Sequence, residues 1–200
     1  MTTPMPASSP NLTALIAELL CGDDERAEQA AAAIGRTSDF DVEALRAVID
    51  DPRADSRWWA ARTLSQFRTE SAQQALIGLL NDSDADVRAC AAFGLGEAHA
   101  ESAIEPLAKL LNDPSVFVSA MASDALARIG KMSVLTLIDR LRHGTPLERA
   151  RASKALLSIL DSRSIPALIA ALDDDSPVVQ HYASEALTRL GVGTVLIKPL

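Results

Sequence analysis

Along most of this chain the apolar residues fall at the three- and four-residue spacing that places them on one face of an α-helix, and short polar runs break the pattern at regular intervals. The pattern repeats itself. "AEQAAAAIG" (27–35), "RWWAARTLS" (57–65), "RACAAFGLG" (88–96), "SAMASDALA" (119–127), "RARASKALL" (149–157) and "QHYASEALT" (180–188) align without gaps. In each, an alanine (Ala30, Ala60, Ala91, Ala122, Ala152, Ala183) stands four residues before an Ile or Leu (Ile34, Leu64, Leu95, Leu126, Leu156, Leu187), and successive units are 30 or 31 residues apart. A second anchor recurs upstream at the same spacing: Leu15, Leu45, Leu76, Leu107, Leu137 and Leu168. Each unit is therefore predicted to be an A helix, a turn and a B helix.

The turns carry stop signals at matching places: "GDD" (22–24), "DDP" (50–52), "NDSD" (81–84), "NDP" (112–114), "HGTP" (143–146) and "DDDSP" (173–177). Asp or Asn there is expected to cap the B helix, and Pro suits a turn or a first helical position. Gly130 and Gly191 stand where B helices should end. Neither helix of such a pair can bury its apolar face alone, so the units must stack on one another around a continuous core. The prediction is an all-α, right-handed α-solenoid of about six helix pairs, with repeats at 11–38, 39–69, 70–100, 101–131, 132–161 and 162–191. Residues 1–10 read as a disordered lead-in. The apolar segment 192–200 is expected either to fold back over repeat six or to dock on another copy or another protein.

Segments such as "NDSDADVRACAAFGLG" and "NDPSVFVSAMASDALARIG" resemble HEAT repeats, specifically the short type of phycobilisome-lyase-like proteins, over roughly 11–191. In that family an Asp six residues before an Arg forms a ladder between successive repeats. Asp51 with Arg57 and Asp82 with Arg88 match this pattern. Repeat four has Asp113 but Ser119, repeat six has Asp174 but Gln180, and repeat five has Arg149 but His143 in the Asp place. The resemblance thus implies a ladder that is broken toward the C-terminus.

Because the repeats superimpose, candidate binding residues are read by column. Immediately before the fixed alanine stand Gln29, Trp59, Cys90, Met121, Arg151 and Tyr182, a column expected to be half buried. Two before it stand Glu28, Trp58, Ala89, Ala120, Ala150 and His181; two after it stand Ala32, Arg62, Phe93, Asp124, Lys154 and Glu185. The latter two columns are predicted to lie on the exposed side of the B helices, which lines the concave surface in HEAT-like solenoids. Aromatic side chains beside Arg are the composition of protein-binding hot spots. The predicted partner-binding set is Trp58, Trp59, Arg62, Phe93, Met121, Arg151, Lys154, His181, Tyr182 and Glu185. For the rings, gap filling between helices is the competing reading, above all for Trp59. Arg140, Arg142, Arg149, Arg151 and Lys154 form a basic cluster in repeat five, read either as a solvated helix face or as the seat of an acidic patch on a partner.

The chain has 200 residues, 48% of them hydrophobic, and carries 27 acidic against 19 basic side chains for a net charge of −8. That balance opposes nucleic-acid and anionic-membrane binding. The two cysteines, Cys21 and Cys90, have no metal-ligand spacing, and neither a secretion signal nor a membrane span is apparent. A cytoplasmic setting is expected. His181 and Glu185 share a helix face, but two ligands make no metal site. No nucleophile elbow, phosphate loop or HExxH motif occurs. The reading is a non-enzymatic scaffold that grips a protein or peptide, without cofactor or metal. The resemblance adds bilin lyase or chaperone-like action as an alternative. A HEAT-like DNA glycosylase is disfavoured by the acidic charge.

Overall fold

A computed structural model describes residues 11–37 and 40–192; the lead-in and the tail from 193 onward lie outside these residues. Among the described residues the chain is all-α, with twelve α-helices in six pairs. The pairs are α1 (Leu12–Leu19) with α2 (Asp24–Gly35), α3 (Arg46–Ile49) with α4 (Ala54–Leu64), and α5 (Glu70–Leu79) with α6 (Ala85–Glu97). They continue with α7 (Ile104–Lys109) and α8 (Val116–Ile129), α9 (Val134–His143) and α10 (Pro146–Ile159), and α11 (Ile165–Ala170) and α12 (Pro177–Arg189). Several A helices are short because part of their length is 3-10: Val42–Leu45 leads into α3, and Leu110–Asn112 and Ala171–Asp173 finish α7 and α11.

The repeated anchors form the core. All six alanines of the fixed column are at most 2% exposed, and the Ile and Leu four residues later at most 1%. A methyl group at the alanine position lets B helices stack closely, and a larger side chain there would overpack them. A close backbone approach joins α6 to α8: a Cβ added at Gly96 would sit 2.8 Å from Ala125 Cα. These two helices share the most extensive contact in the chain, and α8 packs markedly less against α10. Of the A-helix anchors, Leu45, Leu76, Leu107, Leu137 and Leu168 are fully buried, while Leu15 in the first unit is half buried.

The inter-repeat ladder is present with a direction that sequence spacing did not convey. Arg57 donates two hydrogen bonds to the carboxylate of Asp82 in the next repeat, at 2.7 and 2.8 Å, rather than to the carboxylate of Asp51 six residues before it. Arg88 does the same to Asp113, at 2.9 Å each, and Arg149 to Asp174, at 2.6 and 3.0 Å. Each guanidinium spends its remaining nitrogen on the carbonyls of its own turn, Asp51 and Pro52, Asp82 and Ser83, or Gly144. The receiving carboxylate also accepts the backbone N–H two residues on, at Asp84, Ser115 and Ser176. A bidentate ion pair and an Asx turn together fix one repeat against the next. The expected C-terminal break is accordingly smaller than the sequence implied. In the C-terminal half the missing rung is the one from repeat four to repeat five, where Ser119 and His143 replace both partners at once; at the other end repeat one has Ala27 in the donor place and makes no rung to Asp51. In repeat six Gln180 takes over the local half, donating to the Asp174 carbonyl at 2.6 Å.

Capping follows the turn sequences in part. Asp23 and Asp84 cap α2 and α6 as expected, but α8 and α10 are capped by Ser115 and Thr145, the latter in a reciprocal capping box with Glu148. Arg53 and Ser176 precede α4 and α12 without a side-chain cap. Gly130 and Gly191 follow their helices with φ of +80° and +79°, whereas the same column elsewhere holds His99 at +51° and Leu160 at +54°, side chains forced into the left-handed region.

Candidate functional site

The B helices α4, α6 and α8 lie side by side, and their outer faces enclose a groove of about 790 Å³. Six of the residues that line it, Trp58, Arg62, Ala89, Cys90, Phe93 and Met121, come from the three sequence columns read around the fixed alanine. The columns converge because each B helix presents the same register to the same side.

The floor is apolar. Phe93 is 42% exposed, and Phe117, from the first turn of α8, 55%. Phe117 was not among the predicted residues. It stands five before the fixed alanine, in a column that reads Glu25, Asp55, Asp86, Phe117, Leu147, Val178, and the change from acid to aromatic at repeat four was the signal available. The rim is acidic, with Asp55, Asp84 and Asp86 at the N-terminal ends of α4 and α6, while Arg62 stands on the other side with Glu28 at 3.5 Å.

The tryptophan pair divides its work differently from the column reading. Trp59, expected to be half buried, is only 8% exposed and belongs to the core. Trp58, expected to be exposed, is half buried, with its ring edge-on to Trp59 at 4.8 Å between centroids. Trp58 therefore lies with one part against the core and another in the groove, a geometry that holds the ring rigid. Asp24 and Asp55 join the two rings around a smaller neighbouring recess. Ala89, placed by its column on the exposed side, is buried, since α6 packs tightly between its neighbours.

The remaining predicted residues lie elsewhere and are engaged within the chain. Arg151 donates to the Val116 carbonyl at 3.1 Å, and Lys154 pairs with Asp124 at 2.8 Å. Arg140 lies between Glu105 and Glu148, and Arg149 belongs to the ladder. The basic cluster of repeat five is thus largely neutralised from inside. His181 is exposed, with Glu185 3.7 Å away, and Glu185 also receives Arg189. Tyr182 is half buried beside the His181 ring.

Cys90 lines the groove, but desolvation pushes its thiol up to about 12, against a weaker opposing pull from Arg62. A thiol held neutral at physiological pH is a poor nucleophile and behaves as a small apolar side chain. Among the described residues no three His, Cys, Asp or Glu side chains gather in a way that holds a metal, and no helix is long and apolar enough to cross a membrane.

The architecture recurs in solved structures. YibA of Escherichia coli is similar at 18% identity, with 98% of this chain and 80% of that one covered and a TM-score of 0.60. The complex of CpcE and CpcF of phycocyanin lyase from Nostoc is similar at 23% identity over 96% of this chain and 82% of that one, with a TM-score of 0.55. A designed armadillo repeat protein solved with the peptide (KR)4 is similar at 18% identity over 90% and 99%, with a TM-score of 0.50. At these identities the likeness is one of fold. No curated protein matches the sequence. The sequence profile of HEAT repeats matches residues 12–89 and 75–137, more than half of the chain. Six helix pairs in register, a buried alanine column and this match together show that the chain belongs to the HEAT-repeat family.

Proposed function

We propose that the chain is a non-catalytic scaffold that holds a segment of a partner protein in the groove across α4, α6 and α8, and that it works in the reducing cytoplasm. The observation that carries this reading is the groove itself: large apolar side chains from three successive B helices, left open on one side and braced from behind by the core. A contiguous open apolar patch of this kind marks a binding surface, and Trp58 is the rigid aromatic anchor that interface energetics favour. The Cys90 thiol, held neutral by burial, serves the groove as a small apolar side chain, which suits a binding surface.

The test is affinity capture from the native cell with the wild-type chain, Trp58→Ala and Phe117→Ala, scored by mass spectrometry. A partner retained by wild type and lost by both variants, at unchanged helicity, supports the reading. Leu95→Ala sets the scale for structural damage and should cost about 3 kcal/mol. If Trp58→Ala lowers the melting temperature as far as Leu95→Ala does, the ring is core and the groove assignment fails. A covalently held or transferred chromophore in the captured material would overturn the non-catalytic part.

A further inference from the structure

We infer that the occupant of the groove is a basic segment: one aromatic or large aliphatic side chain seated on the floor, flanked by arginines or lysines. This rests on the groove being a protein-binding site and adds the chemistry of what it selects.

The rim carries the inference. Asp55, Asp84 and Asp86 edge an otherwise apolar groove. The arginines nearest to them in sequence are paired with other carboxylates, Arg53 with Asp51, Arg57 with Asp82, Arg88 with Asp113 and Arg62 with Glu28. Acids in the first turn of a helix are ordinarily explained by the helix dipole. That explanation covers Asp84, which caps α6. It does not account for the column as a whole, because α8, α10 and α12 begin with Phe117, Leu147 and Val178 in the place where α2, α4 and α6 have Glu25, Asp55 and Asp86. Of the three acids in that column, Asp55 and Asp86 line the groove, and at the next repeat the same place holds Phe117, which lines it as well. The aromatic floor is itself suited to cations: Arg128 already lies over the Phe93 ring at 5.2 Å, and Trp58 offers the ring type with the strongest cation–π attraction. With a net charge of −8, the chain as a whole attracts basic partners and repels acidic ones.

The groove spans two helix-to-helix intervals, about 20 Å at ordinary packing distances. An extended segment of about six residues covers that length.

The experiment is selection of a random decapeptide library on the immobilised full chain, run in parallel on Trp58→Ala and on the double variant Asp55→Asn, Asp86→Asn. The expected result is enrichment of peptides with Arg or Lys around one bulky apolar residue, lost on Trp58→Ala. The selected peptide, followed by tryptophan fluorescence, should bind the double variant about tenfold more weakly, with a flatter dependence on salt. Circular dichroism confirms that the variants remain folded. Enrichment of neutral or acidic peptides that still depends on Trp58 would overturn the basic selectivity and leave the groove reading standing. Equal affinity of the basic peptide for wild type and the double variant would do the same. No Trp58-dependent enrichment of any kind would overturn both.

Discussion

Repeats two to four and repeats five and six are built from the same columns and put them to different uses. In the first region the columns around the fixed alanine carry Trp58, Phe93 and Met121, and the junctions are closed by the guanidinium rungs and by the close approach at Gly96. At the junction from repeat four to repeat five both are gone. There Ser123 donates to the Arg151 carbonyl at 2.8 Å, Arg151 reaches back to the Val116 carbonyl, and Lys154 pairs with Asp124. The charged residues that in sequence look like a second binding patch are thus the closure of a junction without its rung. The difference teaches that a column position is free for binding only where something else holds the repeats together.

Five changes probe that contrast. Asp113→Ala leaves Arg88, only 13% exposed, without its carboxylate. It should cost about 2 kcal/mol in urea denaturation, the penalty of a buried unsatisfied partner. Lys154→Ala, on a pair that is 34% and 43% exposed, should cost well under 1 kcal/mol. Equal losses would erase the distinction between the two junctions.

Acid should act on the rungs next. Hydrogen bonds from Arg57 and Arg149 hold Asp82 and Asp174 below the ordinary carboxylate range. Their unfolded-state values are higher, near about 4, so on acidification the unfolded chain takes up protons first. The stabilisation is complete above that value and is lost as pH falls through the folded-state values. The melting temperature should therefore begin to drop about one unit above that value and continue to drop as pH falls through the lower folded-state values, and drop less in the double variant Arg57→Gln, Arg149→Gln.

Restoring the missing rung is a finer test. Ser119→Arg alone places a charge at a fully buried position and should destabilise; combined with His143→Asp, a double-mutant cycle should show favourable coupling of about 1 kcal/mol. The smallest effect is expected at Leu160. Relief of its φ of +54° by Leu160→Gly should add about 0.5 kcal/mol, once the flexibility of glycine is set against the strain removed. Thermal unfolding at neutral pH measures it.

The solenoid was legible because its core obeys one rule six times: small at the alanine, branched four residues later. The same regularity made the groove legible in outline through Trp58, Arg62, Phe93 and Met121. Phe117 escaped because the columns considered were those nearest the alanine, whereas the first turn of a B helix also reaches the groove. The depth of each ring escaped too, since burial depends on how closely neighbouring helices approach, and Gly96 and Ala125 set that across repeats. The direction of the ladder was hidden for a related reason. Asp and Arg six residues apart look like partners along the chain, yet stacking brings each Arg to the Asp 25 residues further on.

The forward reach of each guanidinium has a consequence for assembly. A bond that always runs from one unit to the next joins unlike surfaces, and head-to-tail contacts of that kind have no inherent end; between molecules they generate filaments. Here both ends of the series are chemically finished. Asp51, which would receive the first guanidinium, is bound by Arg53 of its own turn at 3.0 and 3.1 Å, and the donor place before it holds Ala27. At the other end Gln180 is turned onto its own loop. Among the described residues the two places that bound the rung series are thus satisfied from their own turns, and every rung joins neighbouring repeats.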